Sequence, residues 1–230
     1  MISSSLDGPL PLGTTRHISE IGQQHPPTLL DLFCGAGGLS LGFIRAGFMP
    51  VFAVDNSAAA VETYRMNIGL HAVVGDLTRA IDLPPATVIV GGPPCQGFSS
   101  AGLRKVGDKR NTLVRHFADI VARLQPMAFV FENVEGFLTG EDGAWVLDLL
   151  VPLIAGGYRI HLQKVNAANF GVPQHRKRTI AIGGLGWDPS FPMPTHTAYG
   201  APGAHLATRH LPPTPTLTEA LLTLLWRDPC

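Results

Sequence analysis

Between residues 28 and 184, short apolar runs alternate with stretches whose apolar residues recur every three or four positions. That alternation predicts strands interleaved with helices, an α/β fold. Residues 28–33, 50–54, 71–74, 88–90, 128–131, 159–165 and 179–182 read as strands, and 38–46, 58–66, 111–124 and 145–155 as helices. In 111–124 the apolar residues Leu113, Phe117, Ile120, Val121 and Leu124 fall on one side. Residues 1–27 have no periodicity and read as a loose N-terminal arm. Residues 28–184 form the folded domain, and 185–230 a Pro/Gly-rich tail with a last apolar stretch at 217–226.

Composition narrows this picture modestly. A chain of 230 residues suffices for one substantial core, and Gly (26) and Pro (20) make up about a fifth of it. Lys plus Arg (17) equals Asp plus Glu (17), so no global field draws the protein to nucleic acid or membrane, although local basic patches remain open. Cys34, Cys95 and Cys230 show no C-x-x-C spacing, so neither a metal site nor a disulfide framework is expected. No signal-peptide pattern is visible, and the longest apolar run, 146–155, is broken by Asp148 and Pro152. A cytoplasmic, reducing setting without membrane contact is the expectation.

The chemistry concentrates at predicted strand ends. Cys95 follows the strand at 88–90 and two prolines, Pro93 and Pro94, and precedes Gln96, Gly97 and Ser99. Free cysteine often serves as a small buried hydrophobe, but prolines force the chain out of the sheet here, which suits an accessible nucleophile. On local sequence alone both readings stand. The run from Asp31 through Gly35, Gly37 and Gly38 is either a tight strand-to-helix turn or a ligand cradle. Ser40 occupies the place of the third glycine of a dinucleotide fingerprint, so a nucleoside without phosphates fits better. Asp55 and Asp76 end the next two strands, placed to accept hydrogen bonds from ribose hydroxyls and from an adenine amino group. Glu132 and Asn133 follow the apolar strand at 128–131; Glu132 suits either a hydrogen-bond donor to a ring nitrogen or a helix cap. Gln174, Arg176 and Arg178 share one face if the chain is extended there, and Arg104, Lys105, Lys109, Arg110 and Arg115 follow Cys95. Each group alone fits a solvated charged edge; together, flanking a thiol, they suit a nucleic-acid backbone.

In combination and order, these segments closely resemble the C5-cytosine DNA methyltransferases. The glycine-rich turn resembles motif I, Pro-Cys-Gln motif IV, Glu-Asn-Val motif VI, 165–173 motif VII, and Gln-x-Arg-x-Arg motif VIII. The resemblance covers roughly residues 29–184. It implies a Rossmann-like S-adenosylmethionine-dependent sheet with helices on both faces, and makes 28–184 the catalytic domain. It implies Cys95, Glu132, Arg176 and Arg178 as catalytic residues. Phe33, Gly35, Gly37, Asp55, Asp76 and Leu113 match cofactor positions, and Gln96, Ser99, Asn133 and Gln174 would meet the substrate. Double-stranded DNA is the implied partner, in a restriction-modification setting, with cytosine attacked at C6 and methylated at C5. Methylation of cytosine in tRNA, an inactive fragment, and a cofactor- or DNA-binding module are the alternatives. The family carries a target-recognition domain and motifs IX and X after motif VIII, whereas 185–230 resembles only the segment leading towards them. Target choice and one wall of the cofactor pocket are therefore expected from elsewhere, as on a second chain of a split enzyme.

Overall fold

A computed structural model describes residues 25–94, 112–198 and 210–225. Seven strands form one sheet: β1 (Thr28–Leu32), β2 (Met49–Asp55), β3 (Ala72–Val74), β4 (Val88–Gly91), β5 (Ala128–Val134), β6 (Tyr158–Asn166) and β7 (Lys177–Leu185), in the order β3-β2-β1-β4-β5-β7-β6. The first five run parallel, and β7 enters antiparallel between β5 and β6. The helices are α1 (Gly38–Arg45), α2 (Ala58–Asn67), α3 (Thr112–Leu124), α4 (Ala144–Ala155) and α5 (Leu217–Leu225).

Alternation along the central strands explains the two cores. Leu30 and Leu32 of β1, Ile89 of β4, and Phe129 and Phe131 of β5 point to the face covered by α3 and α4. There Phe117 lies 6.2 Å from Phe129 and 5.4 Å from Phe131, and Tyr158 packs on Phe129 while its hydroxyl donates to the Pro126 carbonyl. Burying each such ring contributes roughly 1.5–3 kcal/mol. The intervening residues face the other way: Leu29, Val88 and Val90 meet Leu39 and Phe43 of α1, and Ala53 and Ala72 meet Val61 and Tyr64 of α2.

The predicted elements all recur, but the polar ends of two strands run further than their apolar pattern. β5 continues through Glu132 and Asn133, and β7 begins at Lys177, because the two pair antiparallel from Ala128↔Gly184 to Val134↔Arg178. Ladder hydrogen bonds thus carry polar residues that hydrophobicity alone assigns to loops. Two 3-10 segments, Glu135–Gly143 and Ala167–Phe170, have no counterpart in that pattern. Among the described residues no helix is long and apolar enough to cross a membrane.

Candidate active site

The strand order reverses at β1: β2 and β3 lie on one side of it, β4 and β5 on the other. In such sheets ligands occupy the crevice beyond the carboxyl ends of the strands at the reversal. Two sets of side chains meet that edge.

One set surrounds the turn from β1 into α1. Phe33, Gly35 and Gly37 all have positive φ, at 58°, 53° and 94°. For Phe33 this is a strained conformation of the kind that gathers at ligand sites. A Cβ on Gly37 would overlap Ile68 Cδ1, so the turn lies directly on α2 and its C-terminal end. A Cβ on Gly35 would meet nothing within 4 Å. That side of the turn is open. The Gly35 amide donates to Asp55 Oδ2 (2.9 Å) and the Ser57 amide to Oδ1 (2.8 Å), which locks the half-buried carboxylate at the end of β2. Beyond β3, Asp76 accepts from the Thr78 hydroxyl (2.7 Å) and amide (2.9 Å). Those bonds, with Arg79 and His116 nearby, hold its carboxyl below the usual range. Leu113 is half-buried on the first turn of α3.

The second set joins β4, β5 and β7. Glu132 Oε1 accepts from Arg178 Nε at 2.9 Å, and Arg176 Nη2 lies 3.9 Å from the same oxygen. The register accounts for this: Arg178 pairs with Val134, so it sits diagonally across from Glu132 on the same sheet face. Although Glu132 follows an apolar strand segment, it stands in an ion pair and is one quarter exposed. Its Oε2 side leans over Gly92, where an added Cβ would lie 3.1 Å away. Asn133 is 2% exposed, and its amide donates to the Pro93 carbonyl at 3.2 Å, while its Oδ1 accepts from the Val134 amide. That amide is spent on the main chain of the proline turn. Gln174 is exposed before β7, its amide donating to the Val172 carbonyl. Cys95, Gln96 and Ser99 lie outside the described residues, as do Arg104, Lys105, Lys109 and Arg110.

Cys34 shows what a packing cysteine looks like in this fold. It is 7% exposed, and burial, reinforced by Asp31 and Asp55, pushes its thiol up to about 12. Such a thiol is not a nucleophile at neutral pH. The sequence reading did not find two contacts: the Asn133 bond to the proline turn, and the 2.7 Å bond from Ser40 Oγ to Asp31 Oδ2 that closes the glycine turn. Both join residues distant in the chain or hidden in the interior, and only the Ser40 departure from the glycine fingerprint hinted at either.

The sheet order and the glycine turn at its reversal define a Rossmann-like methyltransferase fold, the class to which its structural neighbours belong. Residues 28–198 match the family model of the C-5 cytosine-specific DNA methylases, and the chain belongs to that family. It is 40% identical over 191 residues to the Type II methyltransferase M1.HphI of Haemophilus parahaemolyticus, a match covering 76% of this chain and 51% of that protein. It is 36% identical to the Type II methyltransferase M.AquIA of Picosynechococcus, covering 85% of this chain and 88% of that protein. A crystal structure described as a DNA modification methyltransferase encoded in an E. coli prophage superposes with a TM-score of 0.61 at 33% identity, over 77% of this chain and 56% of that one. The chain spans about half the length of most of the curated relatives it matches.

Proposed function

We propose that this chain is the catalytic portion of an enzyme that methylates C5 of cytosine in DNA. The observation that carries the reading is the junction of β4, β5 and β7. There Glu132, paired with Arg178, stands beside the proline turn that Asn133 anchors, one residue short of Cys95.

The residues at the β1–β3 ends fit S-adenosylmethionine. The turn is open above Gly35, Asp55 and Asp76 supply two carboxylates, and Ser40 is buried against Asp31 rather than free for a pyrophosphate. Paired carboxylates repel phosphates and suit a cationic, phosphate-free nucleoside. Phe33, Gly35, Gly37, Asp55, Asp76 and Leu113 would hold it. When bound, it supplies an electrophilic methyl group.

In the chain's own chemistry, the Cys95 thiolate adds to C6 of a cytosine flipped from the duplex, and the ring electron pair makes C5 nucleophilic. Glu132, in its protonated form, holds the base edge and gives its proton to the ring nitrogen as negative charge develops there, taking it back when the C6–S bond breaks. Arg178 fixes the Glu132 carboxylate, and Arg176, half exposed, faces the same space. After C5 is alkylated, loss of its proton and cleavage of the C6–S bond restore the thiolate. Gln96, Ser99 and Gln174 are the proposed substrate contacts, and Asn133 acts by holding the turn.

We assign target recognition to a second polypeptide. The exposed apolar residues Leu41, Ile44 and Met49 around α1 support a partner arrangement. The test is transfer of a labelled methyl group to duplex DNA or to tRNA, with the product of the adjacent reading frame added. Label recovered as 5-methylcytosine from DNA is expected. Label in tRNA alone, or at another base atom, contradicts the reading.

A further inference from the structure

Beneath the glycine turn runs a chain of side-chain hydrogen bonds that the proposed chemistry leaves unused. Ser40 Oγ donates to Asp31 Oδ2 at 2.7 Å, Tyr64 Oη donates to Ser40 Oγ at 2.8 Å, and His71 Nε2 lies 2.9 Å from Tyr64 Oη. The chain runs from the interior of β1 through α1 and α2 to His71, the residue before β3. Asp31, Ser40 and Tyr64 are all 0% exposed, and His71 is half-buried.

Counting protons gives the chain a direction. A hydroxyl has one proton to donate. Ser40 donates its proton to Asp31 Oδ2, with any proton that Asp31 carries on Oδ1, so Tyr64 must donate to Ser40. Tyr64 then has none left, and His71 must donate Nε2–H to Tyr64. Burial pushes the Tyr64 phenol up to about 12, so that proton stays in place across the working range. Among the described residues, Cys34, Asp55 and Tyr64 are the ionisable groups that interact with Asp31, none of them positively charged, and Asp31 Oδ1 has no hydrogen-bond partner. The carboxylate therefore depends on the donors this chain brings to it.

The same tyrosine supports the turn by shape. A Cβ on Gly37 would meet Tyr64 Cδ2 at 2.7 Å, so the ring is the floor on which the left-handed glycine rests. The Asp31–Ser40 bond ties the last part of β1 to the first turn of α1, which closes the intervening segment at both ends.

We propose that Tyr64 is a positioning residue for the cofactor turn: its ring sets the height of Gly37, and its hydroxyl, oriented by His71, holds Ser40 against Asp31. The assignment rests on the turn's proposed role in holding S-adenosylmethionine, but the shape of the turn can be measured without that ligand.

The experiment compares the full chain with Tyr64→Phe and with Val61→Ala. Val61 is 1% exposed in the same cluster and outside the hydrogen-bond chain, so its truncation loosens packing without touching the link. Amide exchange is followed at Gly35, Gly37 and Leu41, whose N–H groups bond Asp55 Oδ2, the Cys34 carbonyl and the Gly37 carbonyl. Tyr64→Phe should speed exchange at these three about threefold to tenfold, the range for loss of one net hydrogen bond. Calorimetric affinity for S-adenosylmethionine should weaken by a similar factor. The ring-nitrogen NMR signals of His71, held as the Nε2–H tautomer in the native chain, should shift towards a mixture. Val61→Ala should leave the three amides and the tautomer unchanged. Unaltered exchange in Tyr64→Phe, or an equal response in Val61→Ala, overturns the proposal. If no form of the chain binds S-adenosylmethionine while the amides respond as expected, the cofactor reading falls and the positioning role of Tyr64 stands.

Discussion

Burial raises the Asp31 carboxyl from 3.8 to about 7, against the lowering effect of its hydrogen bonds from the Ser40 hydroxyl and backbone N–H. Such a group takes up a proton on folding. Its stabilising contribution is complete below pH about 4 and is lost as pH rises towards about 7, at about 1.4 kcal/mol per pH unit. Asp31→Asn should remove that slope. Urea unfolding at pH 5, 6 and 7 should show wild-type stability falling relative to the variant by this amount per unit; parallel curves would show that Asp31 does not titrate in this range. Sequence makes Asp31 visible only as a polar residue opening a glycine motif, because its partners Ser40 and Tyr64 come from α1 and α2. Glu132 and Arg178 are legible as chemistry in the sequence. Their 2.9 Å contact is not, since it depends on the register between two strands more than forty residues apart.

Glycines divide the β1–α1 turn into two kinds of position. Both Gly35 and Gly37 are left-handed, but the first faces open space and the second packs on Tyr64 and Ile68. Gly35→Ala should therefore cost about 1–2 kcal/mol from backbone strain alone. Gly37→Ala should cost about 1–3 kcal/mol more, because a buried ring and an α2-end side chain must also move. Thermal or urea denaturation separates them, and equal losses would mean that the packing beneath Gly37 is not as tight as described. Among elements, the apolar pattern located all seven strands and the four helices of the domain, since core-facing residues set that pattern. It stopped short at the end of β5 and at the start of β7. There antiparallel pairing, which no single segment encodes, draws Glu132, Asn133 and Arg178 into the sheet. The parallel pairing of β5 with β4, Gly91 opposite Phe131, brings Glu132 and Asn133 to the proline turn after β4.

At the scale of the molecule, the described residues present one sheet edge with the proposed cofactor turn on one side of the strand reversal and a charged, anchored junction on the other. Family membership and fold follow from motifs that lie in one linear order. Target choice does not; α1 presents Leu41 and Ile44 as exposed apolar residues, the face where the proposed second chain would dock. Cys95 is tested most directly by covalent trapping on a duplex containing 5-fluorocytosine, where C5 carries fluorine in place of the proton, so that elimination is blocked after methyl transfer and the C6–S bond persists. With S-adenosylmethionine and the adjacent-frame polypeptide present, the wild-type chain should form a denaturant-stable protein–DNA adduct that Cys95→Ser abolishes and Glu132→Gln diminishes. No adduct from a wild-type assembly that binds the duplex, or an adduct that survives Cys95→Ser, would contradict the account.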